Sequence, residues 1–369
     1  MDAEILYREC PRCHGKTGVQ YKYCVHCSLN LEKLDLDVLN NPNSLQKTEK
    51  TMAHEFKIAM WGPRTSGKTT YVTAVYNTTS DDDPGHQWDI QLDDLESMNT
   101  IMEMSDNMRS WGEFPPLTDP ASNPINYNFL FLPSEKAVSK ESSTSFLERM
   151  SKWIGEVPSD MKSGEIGKVG LRVTFTDVAG ERYTSDLERN QEVWSRLVEA
   201  DGLICLLDPA SPLDHFSATD KLLNRLKYKL TQSAPERLVQ ERIPHYIAFC
   251  FSKIDNEQFY QFQDSPEQVI DLLKKTSGQN VRRKLENYAI ASRIRFFCIS
   301  SVGVDENKKT RVGKILKLNH ETGEPIIDGD GKSIEITGVI APHEIKAIHI
   351  LDPLEWLFAQ SLIDIKKYR

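Results

Sequence analysis

The chain has no apolar run long enough to cross a bilayer, and its first residues, Met1–Glu9, do not resemble a secretory signal. It also lacks an excess of positive charge, because 45 Lys and Arg stand against 54 Asp and Glu, a formal net charge of −9. An acidic chain is not a general nucleic-acid binder. We therefore expect a cytoplasmic protein, and 369 residues suffice for one large or two modest domains.

Cysteine is scarce, and four of the seven residues fall in one short N-terminal segment. They form two Cys-x-x-Cys pairs, the thiolate set that a structural zinc ion prefers: Cys10, Cys13, Cys24 and Cys27. This pattern predicts a minimal zinc ribbon over residues 1–33. Two disulfides are the alternative, which is disfavoured because nothing indicates an oxidising compartment. The remaining cysteines lie in apolar runs and are expected to be buried thiols: Cys205, Cys250 and Cys298.

A polar linker is predicted over residues 34–54, followed by a large domain over residues 55–369. Strands and helices alternate in this domain, which predicts a three-layer α/β fold with a mostly parallel sheet. The predicted strands are Phe56–Trp61, Ile125–Leu132, Gly170–Phe175, Gly202–Leu207, His245–Phe251 and Ile294–Ile299. The predicted helices are Lys68–Tyr76, Leu187–Glu199, Pro212–Leu230, Pro266–Tyr288 and Pro353–Ile365.

Two insertions interrupt this plan. The first covers residues 78–124 and is expected to contain a helix, Leu95–Trp111. The second covers residues 313–338 and is predicted to be a β-hairpin. Within it, the Asp-Gly-Asp-Gly sequence that starts at Asp328 is compatible with calcium, but it lacks the final Glu and the helices of an EF-hand. A plain turn is the preferred interpretation.

The segment from Gly62 to Thr70 carries a Gly-x-x-x-x-Gly-Lys-Thr motif between a predicted strand and a predicted helix. The two glycines, Gly62 and Gly67, allow the backbone to approach phosphates closely. The N–H groups of the loop and helix start would bind phosphate oxygens: Arg64, Thr65, Ser66, Gly67, Lys68, Thr69 and Thr70. Lys68 would also bridge the β- and γ-phosphates, and the Thr69 hydroxyl would bind Mg²⁺.

A second motif, Asp177-Val178-Ala179-Gly180-Glu181, follows an alternating strand about a hundred residues later. Asp177 would hold Mg²⁺ through water, and the Gly180 N–H would sense the γ-phosphate. A threonine that caps Mg²⁺ from a first switch is also expected, and Thr118 is the best candidate. An idle threonine in a Pro-rich loop is an equally good interpretation of Thr118.

A third motif, Ser252-Lys253-Ile254-Asp255, ends a buried strand and is typical of guanine recognition. The Asp255 carboxylate would accept hydrogen bonds from guanine N1 and N2, which adenine cannot donate, and the Lys253 stem would stack on the base. Backbone N–H groups of Ser300 and Ser301, after the last core strand, would approach guanine O6.

Together these motifs resemble the translation-factor and Ras-like class of P-loop GTPases over Phe56–Gly303. Four segments also resemble the bacterial double-GTPase group: Gly112–Thr118, Asp177–Glu181, Leu207–Pro209 and Asp352–Trp356. The resemblance implies GTP or GDP with Mg²⁺ as ligands and a place in bacterial conflict or defence loci. Two positions depart from the Ras-like pattern. Glu181 replaces the water-positioning Gln, and Arg64 would act as an internal arginine finger, crowd the γ-phosphate or point to solvent.

The sequence therefore predicts a GTP-binding switch that hydrolyses GTP slowly, with Glu181, Arg64, Lys68 and Thr118 as candidate catalytic residues. The zinc ribbon would be an adaptor for an unidentified protein partner. A GTP-binding structural or assembly subunit with negligible hydrolysis is one alternative. An ATP-dependent nucleic-acid enzyme is another, but Asp255 and the small net charge of residues 1–33, +1, argue against it.

Overall fold

A computed structural model describes residues 7–9, 16–18, 56–80, 88–92, 95–117, 125–133, 151, 153, 171–177 and 191–367. Its strands are β1 Tyr7–Glu9, β2 Lys16–Gly18, β3 Ile58–Trp61, β4 Trp88–Leu92, β5 Ile125–Pro133, β6 Leu171–Asp177, β7 Gly202–Leu207, β8 Tyr246–Phe251, β9 Ile294–Cys298, β10 Val312–Leu316 and β11 Glu335–Val339. Its α-helices are α1 Lys68–Ser80, α2 Leu95–Asp106, α3 Gln191–Glu199, α4 Pro212–Ser233, α5 Pro266–Ser277, α6 Val281–Tyr288 and α7 Asp352–Lys367.

The centre of the fold is a parallel four-stranded sheet in the order β3-β7-β8-β9. β7 and β8 are buried at every position, as expected for central strands covered on both faces. A three-stranded antiparallel sheet, β4-β5-β6, extends the layer because β6 lies beside β3. The chain therefore has a mixed α/β architecture with a predominantly parallel centre.

Alternate residues of the strands enter two separate cores. Ile58 and Met60 of β3 point into a core that α1 and α7 cover, whereas Ala59 and Trp61 point into a core covered by α3 to α6. This period-2 alternation is what a strand between two helix layers requires. The three central cysteines belong to β7, β8 and β9 and are buried free thiols, as predicted. Burial raises the pKa of Cys205 and of Cys298 to about 12, so both remain protonated at neutral pH.

Three local predictions differ from the structure. The first insertion contains a strand, β4, that the sequence analysis did not predict. The helix predicted to reach Trp111 is α-helical only to Asp106 and continues as a π-helical turn, which ends at Gly112 with φ 73°. The helix predicted over 266–288 is two helices, because Gly278 adopts φ 68° and the Asn280 side chain caps α6 by accepting from the Arg283 N–H.

The second insertion holds two antiparallel strands, β10 and β11, in which Val312 pairs with Val339 and Leu316 pairs with Glu335. Between them, Asp328 accepts hydrogen bonds from the N–H groups of Asp330 and Lys332, each 2.9 Å long. This carboxylate therefore closes its own turn. In the N-terminal segment, β1 and β2 pair antiparallel. No helix in the described part of the chain is long and apolar enough to span a bilayer.

Candidate functional site

The loop between β3 and α1 is wound tightly. Thr65 and Gly67 have φ values of 63° and 86°, and the Ser66 N–H donates to the Pro63 carbonyl at 3.3 Å. A side chain on Gly62 would overlap Ser66 Oγ and place its Cβ 3.0 Å from the Leu206 carbonyl oxygen. Only glycine therefore fits at that position, and the left-handed conformation of Gly67 favours glycine as well.

The start of α1 has the arrangement of an anion-binding helix terminus. The first bond that spans one α-helical turn runs from the Tyr71 N–H to the Gly67 carbonyl, at 2.8 Å. The N–H groups from Gly67 to Thr70 precede it, and such groups have no carbonyl one turn back within the helix. Donors in this position, at the positive end of the helix dipole, can bind a phosphate.

Lys68 provides a fixed cation within the same loop. Its ammonium group donates to the carbonyl oxygens of Gly62 and Pro63, at 2.9 and 3.2 Å, and the residue is only 7% exposed. Next to it, Ser66 Oγ is buried without a hydrogen-bond partner among the residues that the structure describes. A buried hydroxyl without a partner is costly, which marks this loop as a place where a polar ligand fits.

The segment after β8 carries a second fixed cation. Lys253 has a left-handed backbone, with φ 56°, and its ammonium group forms a 2.8 Å ion pair with Asp208 at the end of β7. Asp208 is anchored in turn, because its backbone N–H donates to His215 Nδ1 at 2.9 Å. Burial lowers the pKa of His215, which keeps the ring neutral and able to accept this bond.

Asp255, two residues further on, is buried and both its carboxylate oxygens accept hydrogen bonds. Ser300 Oγ donates to Oδ1 at 2.5 Å, and Thr310 Oγ1 donates to Oδ2 at 2.7 Å. A carboxylate has about four lone-pair sites, so about two remain for a ligand. The carboxylate is thus held in place before any ligand arrives.

Ser300 contributes a side chain where the sequence analysis predicted a backbone contact. Its N–H, expected to approach guanine O6, donates to the Ile348 carbonyl at 3.0 Å, and Ile348 returns a 2.8 Å bond. Its hydroxyl accepts from the N–H groups of Val302 and Gly303, at 3.2 and 2.9 Å. The Ser301 backbone is therefore the remaining candidate for contact with a base, and Ser301 lines the adjacent cavity.

One cavity of about 510 Å³ brings these parts together. Its lining comprises the phosphate-type loop, the segment after β8, the end of β9, the stretch 114–117 and the second insertion: Arg64, Thr65, Ser66, Gly67, Lys68, Thr69, Thr70, Tyr71, Phe114, Pro115, Pro116, Leu117, Leu206, Ser252, Lys253, Asp255, Asn256, Ile299, Ser301, Val302, Thr310, Val312 and Thr337. This volume is within the usual range for small-molecule sites, about 300–1,000 Å³. Arg64 lies at this cavity and is exposed.

Several predicted residues cannot be placed. Thr118, Gly180, Glu181 and the four N-terminal cysteines lie outside the described residues. The Asp177 backbone is described as the last residue of β6, the strand beside β3, but its side chain is not. Among the residues that are described, no group of three His, Cys, Asp or Glu side chains could hold a metal ion.

The sequence analysis missed two residues with evident roles at this site. Asp208 pairs with Lys253, and its signal was a carboxylate directly after an apolar strand, the same signal that marked Asp177. Thr310, just before the second insertion, binds Asp255 from 55 residues away along the chain. No local pattern marks such a threonine.

No protein-family model matches this chain, and no curated protein matches it either. Among solved structures, it is similar to the small GTPase Arl6 (BBS3) of Trypanosoma brucei with the bound nucleotide analogue GppNp, at 10% identity and a TM-score of 0.31, covering 67% of this chain and 88% of that one. It is also similar to a signal recognition particle receptor SRb-GTP/SRX complex from Chaetomium thermophilum, at 10% identity and a TM-score of 0.32, covering 68% and 95%. These TM-scores are low, so the function proposed below is inferred from the geometry of the site.

Proposed function

We propose that this protein binds guanine nucleotides with Mg²⁺ and hydrolyses GTP as a molecular switch. The observation that supports the proposal is the shared cavity, which a phosphate-type loop lines together with Lys253 and Asp255. The arrangement of the parallel strands explains why these residues line one cavity, because ligands of open α/β sheets bind at the carboxyl ends of the strands. Phosphates would lie on the Lys68 loop, and a guanine base would lie against Asp255.

The residues that line the cavity fit a nucleotide, and Thr69 and Asp177 are the proposed ligands of its metal ion. Ser66 Oγ and Ser252 Oγ are buried without hydrogen-bond partners among the described residues, and both residues line the cavity. A bound nucleotide would supply acceptors there. Thr69, directly after Lys68 at the start of α1, would bind Mg²⁺ through its hydroxyl, and Asp177 would act through water. Magnesium would offset the negative charge that builds up on the phosphates during hydrolysis.

The test is a titration of the full chain with GTP, GDP and ATP in the presence of Mg²⁺. We expect GTP and GDP to bind and ATP to bind at least tenfold more weakly, since adenine cannot donate to a carboxylate at the N1 and N2 positions. The Lys68→Ala variant is the matched negative control for phosphate binding. Equal affinity of the wild-type protein for ATP and GTP would refute the guanine assignment.

The rate of hydrolysis is proposed to depend on Glu181 and Arg64, two departures from the Ras-like pattern. An ionised carboxylate at Glu181 would position water less well than a glutamine, so we propose slow hydrolysis without a partner. Single-turnover rates of Glu181→Ala and Arg64→Ala should each change more than tenfold, about 1.4 kcal/mol in barrier. Rates within twofold of wild type would favour a GTP-binding assembly subunit instead.

The N-terminal segment is proposed to be a zinc ribbon that recruits a protein partner. Four thiolates would hold the metal, and a fold of this size would depend on it. Measuring zinc content in the wild-type protein and in Cys10→Ser tests the metal site directly. Deleting residues 1–33 should leave GTP affinity within a few-fold, because the predicted polar linker over residues 34–54 separates this segment from the large domain. The place in bacterial defence stays a prediction of the family resemblance.

A further inference from the structure

The second insertion forms part of the wall of the nucleotide cavity. Val312 at the start of β10 and Thr337 in β11 line the cavity, and so does Thr310, which lies two residues before β10. None of these residues belongs to the three motifs that identified the site in the sequence. The insertion is therefore part of the site itself.

The Thr310 hydroxyl has one proton, and its surroundings direct that proton to Asp255. Thr310 Oγ1 accepts a 3.2 Å hydrogen bond from the Val312 N–H and lies 2.7 Å from Asp255 Oδ2. On the other side, the Ser300 hydroxyl accepts from two backbone N–H groups, which directs its own proton to Asp255 Oδ1. A hydroxyl has one proton and two lone pairs, so both oxygens of Asp255 are fixed as acceptors.

The Thr310 backbone is held firmly enough to fix the position of its hydroxyl. Thr310 forms an isolated β-bridge with Val304. The next residue, Arg311, is 8% exposed, donates from Nε to the Val304 carbonyl at 3.1 Å and pairs with Glu344 at 2.8 Å. The threonine is therefore part of an ordered hydrogen-bond network.

The hairpin is also attached to the segment that precedes the Pro-rich stretch of the cavity. The Val339 N–H donates to the Gly112 carbonyl at 2.7 Å, and Glu113 bridges Gly338. A Cβ on Gly112 would overlap the Val339 carbonyl oxygen, so the close approach of the two backbones requires glycine there. Trp111 stacks on His320 with ring centroids 5.0 Å apart, which adds a contact from the loop of the hairpin.

We infer that Thr310 is a positioning residue for base recognition: its hydroxyl, two residues before the β10–β11 hairpin, orients the carboxylate that selects guanine. This inference rests on the proposed function, because it assigns a role within the same nucleotide site. Because the carboxylate is already fixed, less conformational entropy is lost when the base binds, which is the usual advantage of preorganisation. Base selectivity in this protein then depends on a segment outside the nucleotide-binding motifs.

The test compares Thr310→Val, which removes the hydroxyl but keeps the shape, with Thr310→Ser, which keeps the hydroxyl. Dissociation constants for GTP, GDP and ATP are measured by competition with a fluorescent guanine nucleotide. We expect Thr310→Val to raise the dissociation constants of GTP and GDP by the same factor, about tenfold, which corresponds to the loss of a hydrogen bond to a charged group. The dissociation constant of ATP should change less than twofold. The Thr310→Ser variant should keep the preference of the wild type for GTP over ATP.

Thr322→Val, at an exposed turn between β10 and β11, is the matched control and should bind nucleotides like the wild type. The inference is overturned if Thr310→Val keeps the GTP-to-ATP ratio of the wild type. It is also overturned if Thr310→Val binds all three nucleotides more weakly by the same factor and has a lower melting temperature, because that result would indicate a purely structural role. A wild-type protein that does not prefer GTP would instead refute the proposed function, and the two failures are thus distinguishable.

Discussion

Asp255→Asn should reverse the base preference of the site without unfolding it. The substitution turns one of two acceptor oxygens into a donor amide. The Ser300 hydroxyl already accepts two N–H bonds, so it cannot accept a third and must keep donating to the remaining oxygen. Among the residues that the structure describes, the Thr310 hydroxyl accepts one bond, from the Val312 N–H, so it can take a second from the new amide. The structure therefore fixes which way the asparagine points.

The size of the effect follows from the hydrogen bonds to the base. Each bond from a guanine donor to a carboxylate is worth about 1.5–3 kcal/mol, and the variant loses at least one of them. GTP affinity should therefore fall by about 10- to 150-fold. Xanthine carries an oxygen where guanine has its amino group, so the new amide should gain a bond to XTP. The XTP-to-GTP preference should shift by about 100-fold or more.

The assay is a pair of titrations with GTP and XTP on wild type, Asp255→Asn and the control Asp271→Asn, which changes an exposed carboxylate of α5. The melting temperature of the nucleotide-free proteins is measured alongside. We expect only Asp255→Asn to prefer XTP over GTP. Its melting temperature should change little, because the contacts with the Ser300 and Thr310 hydroxyls can persist. An unchanged XTP-to-GTP ratio in a folded Asp255→Asn protein would show that this carboxylate does not read the base.

Three further outcomes are expected. Lys68→Ala should abolish binding at micromolar GTP, because the phosphates lose a buried cation, and isothermal titration of the variant would show residual affinity if another group compensates. Gly112→Ala should lower the melting temperature and weaken the binding of GTP more than that of ATP, since its Cβ would overlap the Val339 carbonyl oxygen and displace the hairpin. A melting temperature equal to that of the wild type would contradict the close contact. Hydrogen bonds to Asp352, and then to Asp264, raise the pKa of His349 above its ordinary value of 6.5. The stability that this pairing adds is fully present below that value and is lost as pH rises through the folded pKa, so the difference in melting temperature between wild type and His349→Gln should shrink from pH 5.5 to pH 9.

The sequence allowed the centre of the fold to be predicted because its central strands are uninterrupted apolar runs. Gly202–Leu207 and Tyr246–Phe251 are buried at every position, and such runs are typical of parallel strands covered on both faces. Polar residues directly after them must then meet at one edge of the sheet. That rule alone places Lys253 and Asp255 near the Gly62–Thr70 loop, and in the structure residues of this loop line one cavity together with Lys253 and Asp255.

The parts that could not be predicted depend on contacts between distant segments. Trp88–Leu92 alternates polar and apolar residues over only five positions, too few to identify a strand before its partner, Ile125–Pro133, is known. The break at Gly278 could have been read from the Ser-Gly pair, because glycine commonly ends helices. Thr310 had no such signal, since its role comes only from the fold that brings it to Asp255.

The Thr310–Asp255 contact also has a consequence for the order in which the protein is made. Residues of the cavity wall run from Arg64 to Thr337 along the chain, and the Asp255 carboxylate receives its second hydroxyl from Thr310, 55 residues further on. During synthesis the phosphate loop and β8 emerge first, while the wall remains open until both strands of the hairpin have left the ribosome. Contacts of such long sequence separation are slow to form, because closing the chain between them costs entropy. A ligand that needs the whole wall of this cavity can therefore stabilise the fold only after Thr337 has been made, and it cannot serve as a template for the folding of the earlier segments.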